Sequence, residues 1–143
     1  MSIEAQAKKM MRAAIDKAAK EHDVSCKEVQ LLMKMDNGMP KFYITKQFKP
    51  VKEVSVKEMY PVLVDVFHVR QLLPAFVGNL LTETAEKCNA ENWEDVKIFI
   101  FTMEDTTKNL HMYAYNKNDK YKALDWEEVF GMEAMARLMV KQG

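Results

Sequence analysis

Leu31-Leu32-Met33-Lys34-Met35-Asp36-Asn37-Gly38-Met39-Pro40-Lys41-Phe42-Tyr43-Ile44 is the stretch whose reading decides the fold. Asn37-Gly38 is a strong hairpin signal, because a two-residue type I′ turn needs positive φ at both central positions and these residues accept it with little strain. A turn there sets Met35 against Pro40, Lys34 against Lys41, Met33 against Phe42, Leu32 against Tyr43 and Leu31 against Ile44. Leu31, Met33, Phe42 and Ile44 then share one face, and Gln30, Lys34, Lys41 and Thr45 the other. Leu32 and Tyr43 intrude on that more polar face, and Lys34 opposite Lys41 is tolerable only if both ammonium groups are solvated.

The same region has a rival reading as a helix. Val24-Ser25-Cys26-Lys27-Glu28-Val29 is a complete helix start, with Ser25 as N-cap, Glu28 closing a capping box and Val24 against Val29 as the staple. Such a helix would end at Gly38. The hairpin is the preferred reading. Similar grammar recurs at Val54-Ser55-Val56-Lys57-Glu58-Met59 and Leu124-Asp125-Trp126-Glu127-Glu128-Val129, which needs no duplication to explain it.

Upstream, residues 2–21 read as an amphipathic helix capped by Ser2, with Ile3, Ala7, Met10, Met11, Ala14, Ile15 and Ala18 recurring at helical spacing. Downstream, 51–54 reads as a short strand. From Ser55 to Cys88 the pattern is helical but broken at Pro61 and Pro74, predicting a helix near 62–72 and another near 75–88. Residues 95–103 are apolar on both faces and β-rich, which predicts a central strand. Residues 110–116 alternate, with Leu110, Met112 and Ala114 on one side and His111, Tyr113 and Tyr115 on the other; 116–122 reads as a polar loop. A last helix is expected from Asp125 to about Lys141. The whole is one α+β domain over residues 1–143: two β-hairpins form an antiparallel sheet of four to five strands, packed by the N-terminal helix, the Pro-broken central helical segment and the C-terminal helix.

Composition removes several function classes. The chain has 143 residues, with 21 Lys plus Arg against 21 Asp plus Glu, and a pI near 6.8. A nucleic-acid coat or polybasic membrane binder shows a basic excess, which is missing here. The balance hides an asymmetry: residues 1–60 carry 12 basic against 8 acidic side chains, and residues 61–143 carry 9 against 13. Complementation of the two halves within one fold explains this more simply than head-to-tail pairing with another copy. Arg12, Arg70 and Arg137 are the only arginines, which further weakens a nucleic-acid reading, since phosphate clamping and base readout favour Arg. Its strongest form is a basic face made from Lys41, Lys46, Lys49, Lys52 and Lys57 beside the lysines of the first helix.

Two cysteines, Cys26 and Cys88, are too few for a disulfide-stapled secreted domain, and no spacing suggests a metal site. No signal peptide is read at the N-terminus. The most apolar stretch, Met59 to Leu81, is interrupted by Asp65, His68, Arg70, Gln71 and Asn79, so no membrane span is expected. A reducing cytoplasm is the expected compartment. The four glycines are scattered, so neither a P-loop nor a dinucleotide fingerprint exists, and no cofactor is expected.

Three constellations remain. On a helix, Asp65 and His68 share a face and would form a base and its orienting carboxylate, although a plain solvent stripe is the simpler reading. His111, Tyr113 and Tyr115 form a strip of rings that could line a ligand site, although a sheet face covered by the first or last helix is the simpler reading. Twelve methionines suit an adaptable surface but more often fill cores. The sequence names no activity. It supports a small cytoplasmic non-enzymatic binding or interaction protein, an inhibitor or adaptor, that takes a protein partner or a small ligand. A homodimer is expected through the Ala/Met faces of the terminal helices. The alternatives are a small hydrolase or isomerase using His68 or His111 as base, and a nucleic-acid accessory working through the basic N-terminal face.

Overall fold

The computed structural model describes residues 2–37, 39–93 and 95–142. Helix α1 (Ile3–His22) opens the chain; Ser2 caps it by accepting from the Ala5 N–H at 3.1 Å, and Asp23 ends it at a left-handed φ of 52°. Its stripe of Ala7, Met10, Met11, Ile15, Ala18 and Ala19 is buried.

Strands β1 (Val29–Asp36) and β2 (Met39–Lys46) pair antiparallel in the expected register, including Leu31 with Ile44, Met33 with Phe42 and Lys34 with Lys41. Asn37 has φ 52°, as a type I′ turn requires; Gly38, the other half of that turn, lies outside the described residues. The rival helix start is also present, shortened to one 3-10 turn, Cys26–Glu28, where the Ser25 N–H donates to Glu28 Oε2 at 3.0 Å. The capping box thus sets the entry to β1, because the β-rich run after it cannot continue a helix and still bury Leu31, Met33, Phe42 and Ile44 together. Its twin at Ser55 and Glu58 also makes a single turn, with the Glu58 N–H donating to Ser55 Oγ at 3.2 Å.

Strand β3 (Lys49–Val54) extends the sheet from β2. The expected helix over 62–72 is not formed. Strands β4 (Leu63–Val66) and β5 (Val69–Leu72) pair instead as a small separate hairpin, and Phe67 and His68 make its turn at φ 54° and 65°. Val64 and Val66 are buried while Leu63 and Asp65 are exposed, an alternation of period two that the apolar density of the stretch obscures. Pro74 does not break a helix either. It stands at the start of α2 (Leu73–Ala90), where its missing N–H would have had no helical partner. Gly78 has a packing reason: a Cβ there would come within 2.6 Å of the Pro40 side chain on β2.

Strands β6 (Ile98–Met103), β7 (Leu110–Tyr115) and β8 (Tyr121–Ala123) complete the sheet. The order is β3-β2-β1-β6-β7-β8, all neighbours antiparallel, with β6 beside β1 at the centre as its two apolar faces predict. The sheet has six strands rather than four to five, because β8 lies in what reads as a polar loop. The last helix is split by Gly131 into α3 (Trp126–Phe130) and α4 (Met132–Gln142). The Gly131 N–H donates to the Glu127 carbonyl at 2.8 Å, and a Cβ at residue 131 would meet that oxygen at 2.3 Å.

One core holds the domain. Leu31, Met33, Phe42, Ile44, Phe99, Phe101, Met112 and Ala114 of the sheet are buried in it with residues of all four helices. Each large side chain fully withdrawn from water contributes about 1.5–3 kcal/mol. Lys8, which is half-buried, pairs with Glu4 at 3.1 Å and lies 5.0 Å from the Trp126 ring, closing α1 over α3. No helix among the described residues is long and apolar enough to cross a membrane.

Candidate functional site

The side chains that leave the strands on the opposite face of the sheet do not belong to this core. Cross-strand register arranges them in rows. Tyr43, Leu32, Ile100 and Tyr113 follow one another across β2, β1, β6 and β7, and Ala123 ends the row on β8. The next row runs from Lys41 through Lys34, Ile98 and Tyr115 to Tyr121. Ile100 is 6% exposed yet lies outside the main core cluster, so the neighbouring rings on the open face shield it.

Three tyrosines form the centre. Tyr115 stacks on Tyr121 with ring centroids 5.5 Å apart and planes 28° from parallel, and Tyr113 meets Tyr121 edge-on at 5.8 Å. Burial against this cluster, followed by the neighbouring phenols of Tyr121 and Tyr113, pushes the Tyr115 hydroxyl above its usual range. It therefore stays protonated at neutral pH and can donate as well as accept a hydrogen bond.

Phe48 makes the fourth wall. It sits in the β2–β3 turn, where Gln47 and Phe48 have φ 53° and 64°. Non-glycine residues, and a bulky one above all, visit that region at a cost. A buried polar pair pins the turn: Thr45 Oγ1 donates to Gln30 Oε1 at 2.8 Å, and the same oxygen accepts the Phe48 N–H at 3.0 Å. Thr45 and Gln30 are 0% and 3% exposed, so these bonds keep otherwise costly buried polar atoms satisfied while holding the Phe48 ring out over the face. Phe48, Thr102, Tyr113, Tyr115 and Tyr121 line a groove of about 270 Å³.

The structure thus joins Tyr113 and Tyr115 of the expected strip with Tyr121, Phe48 and Thr102, which sequence reading missed. Tyr121 was assigned to a loop, and Phe48 reaches the face only through its turn. The strip is not covered by the first or last helix, as the simpler reading had it; the buried apolar residues of α1, α3 and α4 belong to the core on the other side of the sheet. His111 lies at the edge of the strip, exposed, with Nε2 3.8 Å from Glu104 Oε2. Glu104 is held below the usual carboxylate range chiefly by the hydrogen bond from Thr107 Oγ1 at 2.8 Å.

The Asp65–His68 pairing is corrected. With no helix over 62–72, Asp65 sits on β4 opposite Arg70 of β5, whose Nε approaches its Oδ1 at 3.2 Å, while His68 occupies the exposed turn. The hydrogen bond from Arg70 to Asp65 raises the guanidinium pKa further. Neither His68 nor His111 meets the geometric requirement for a base with an orienting partner in a pocket. Among the described residues no group of three or more His, Cys, Asp or Glu side chains is placed to hold a metal ion.

Comparison with protein-family models, curated proteins and solved structures gives no match to this chain.

Proposed function

We propose that this is a non-enzymatic interaction protein of a reducing cytoplasm whose working surface is the open face of the six-stranded sheet, and that in the isolated protein a second copy occupies that face. The observation that carries the reading is the half-exposed tyrosine cluster on a sheet face that no helix covers among the described residues. Tyrosine is enriched at protein interfaces because it supplies a large rigid apolar body with a polar tip.

Size and charge favour a second copy. Six strands about 4.8 Å apart and about 20 Å long offer about 500 Å² of face per copy, or about 1,000 Å² in a pair, which is the size of a weak, reversible interface. Lys34, Lys41 and His111 share this face with Asp36, Glu53 and Glu104, so it carries both signs, as a surface that pairs with its own copy needs. Sheets pack well in this way, at about 30° between strand directions. The homodimer expected through the terminal helices loses its basis on α1, whose Ala/Met stripe is buried within the monomer. The mixed rim also disfavours nucleic acid, which needs a cationic track beside its stacking rings.

Sedimentation equilibrium from about 1 μM to about 1 mM, spanning the micromolar-to-millimolar dissociation constants expected of so small an interface, tests the reading. The expected result is a monomer–dimer equilibrium that Tyr121→Lys or Tyr115→Lys shifts to monomer with the fold retained by circular dichroism. A strict monomer throughout, or a dimer indifferent to both changes, overturns it. Salt-sensitive sub-micromolar binding of single-stranded RNA in a parallel anisotropy titration would assign the face to nucleic acid instead.

A further inference from the structure

At the far end of β7 a second cluster joins three distant parts of the chain. Cys26 opens the 3-10 turn before β1, Asp16 belongs to α1, and Lys108 ends the turn between β6 and β7. Cys26 Sγ–H donates to Asp16 Oδ1 at 3.3 Å, and Lys108 Nζ donates to Asp16 Oδ1 at 3.2 Å and to Cys26 Sγ at 3.2 Å. The Lys108 amine is positioned rather than loose. Its backbone is held at φ 58°, its carbonyl accepts from Arg12 Nε at 3.0 Å, and Asp105 of the same turn accepts from the Lys27 N–H at 3.3 Å. A strained backbone kept in place by contacts to α1 and to the 3-10 turn is a costly way to bring an amine to a thiol, and such outliers point to use. The three side chains line a groove of about 340 Å³; Lys108 and Asp16 are each more than 40% exposed, while Cys26 is 6% exposed and meets the groove only at its wall, so an oxidant as small as hydrogen peroxide is the one the site could take.

We propose that Cys26 and Lys108 form a redox-controlled covalent clamp: a peroxide converts the Cys26 thiol to a sulfenic acid, which Lys108 captures as a sulfur–nitrogen crosslink. In the first step sulfur attacks one peroxide oxygen and Asp16 takes the thiol proton. The S–O bond forms, the O–O bond breaks, and the leaving hydroxide takes a proton from the Lys108 ammonium and departs as water. Sulfur is oxidised by two electrons and peroxide is reduced by two. In the second step the Lys108 amine, now neutral, attacks the sulfur and the S–OH bond breaks. The hydroxide leaves as water with the proton from Asp16, and the surplus proton on nitrogen returns to that carboxylate and then to solvent. Sulfenic acids condense in this way with thiols and with backbone nitrogen, and here a primary amine lies 3.2 Å from the sulfur. Hydrogen bonds to Cys26 and Asp16 raise the Lys108 ammonium above its usual range, so it enters the first step charged, as a proton donor must. The crosslink ties the β6–β7 turn to the entry of β1. A thiol reductant reopens it.

Cys88 is buried like Cys26, its thiol pushed up chiefly by that burial and drawn down by Lys122, so it is removed to leave Cys26 as the one thiol. The test treats the Cys88→Ser protein with hydrogen peroxide and maps the products by mass spectrometry under non-reducing conditions. The expected product joins the peptides holding Cys26 and Lys108, is two hydrogens lighter than their sum, and is reversed by dithiothreitol. Lys108→Arg, which keeps the charge but removes the primary amine, gives sulfenic and sulfinic acid and no crosslink. Lys108→Gln slows peroxide consumption about tenfold, the effect of losing one charge-assisted hydrogen bond to sulfur. The proposal is overturned if Cys26 stays a thiol while a short cysteine peptide is oxidised, or if Lys108→Arg gives the same products as the parent. A linkage that retains an oxygen atom overturns the second step.

Discussion

The two faces of the sheet are made from the same strands, residue by alternate residue, and they are stabilised differently. On β6 the covered face receives Phe99, Phe101 and Met103, each 0–1% exposed and packed under the helices. The open face receives Ile98, Ile100 and Thr102, and only Ile100 is shielded to a similar degree. The covered face is a helix-packed core. The open face is a layer one side chain deep, held by ring contacts among Tyr113, Tyr115 and Tyr121 and by the buried Gln30–Thr45 pair. The difference teaches that alternation in a strand reports two faces but not what covers them. A face left half-shielded by its own aromatics keeps its rings partly open to solvent.

Substitutions can break or sharpen this contrast. Phe101→Ala on the covered face should have the largest effect, about 3–5 kcal/mol of lost stability, because α3 and Trp126 cannot collapse fully into the void. Urea unfolding monitored by tryptophan fluorescence checks it. Next comes the charge pair that ties two of the covering helices, where Arg137 Nε donates to Glu83 Oε1 at 3.0 Å and Glu83 is 5% exposed. Arg137→Ala should cost about 3 kcal/mol, the low end for a broken buried pair, since the Arg137 side chain is 27% exposed. The double variant Glu83→Leu/Arg137→Leu should recover most of that loss. If it does not, the pair does more than neutralise its own burial.

The open face should respond in the opposite sense. Phe48→Gly removes a bulky side chain from left-handed backbone and should raise stability by about 0.5–1 kcal/mol, while weakening self-association by removing one wall of the groove. A loss of stability would show that the Phe48 ring packs more tightly than its 57% exposure implies. The smallest effect concerns Glu104 at the rim. Its folded pKa is lowered, so it stabilises the fold above the ordinary carboxylate value of about 4.3 and loses that contribution as pH falls through the folded value. Thr107→Ala, which removes the leading cause, should move the Glu104 titration in an NMR experiment back toward the ordinary value.

Legibility in the sequence followed how local the determining contacts are. The β1–β2 register could be read because Asn37-Gly38 and the alternation of Leu31, Met33, Phe42 and Ile44 agree within fourteen residues. Residues 62–72 could not, because the β4–β5 turn is Phe67-His68, which lacks the usual turn chemistry, and because Pro74 looks the same whether it breaks a helix or begins one. Strand β8 is three residues long and carries Lys122 between Tyr121 and Ala123, so it resembles the polar loop before it. For the candidate site, Tyr113 and Tyr115 were visible as a strip on β7. Tyr121 and Phe48 join them only through strand order and a strained turn, and the exposure of the strip depends on where four helices pack. The Cys26, Asp16 and Lys108 cluster spans sequence separations of 82 and 92 residues between Lys108 and its two partners, so no local pattern announces it.

Isotope-filtered nuclear Overhauser measurements on a mixture of labelled and unlabelled chains test the central claim most directly, since they report only contacts between copies. The account predicts intermolecular signals from the rings of Tyr113, Tyr115, Tyr121 and Phe48 to Leu32, Ile98 or Tyr43 of the other copy. Intermolecular signals confined to Met132, Met139 and Val140, the exposed apolar side chains of α4, would contradict it and move the interface to the opposite side of the molecule.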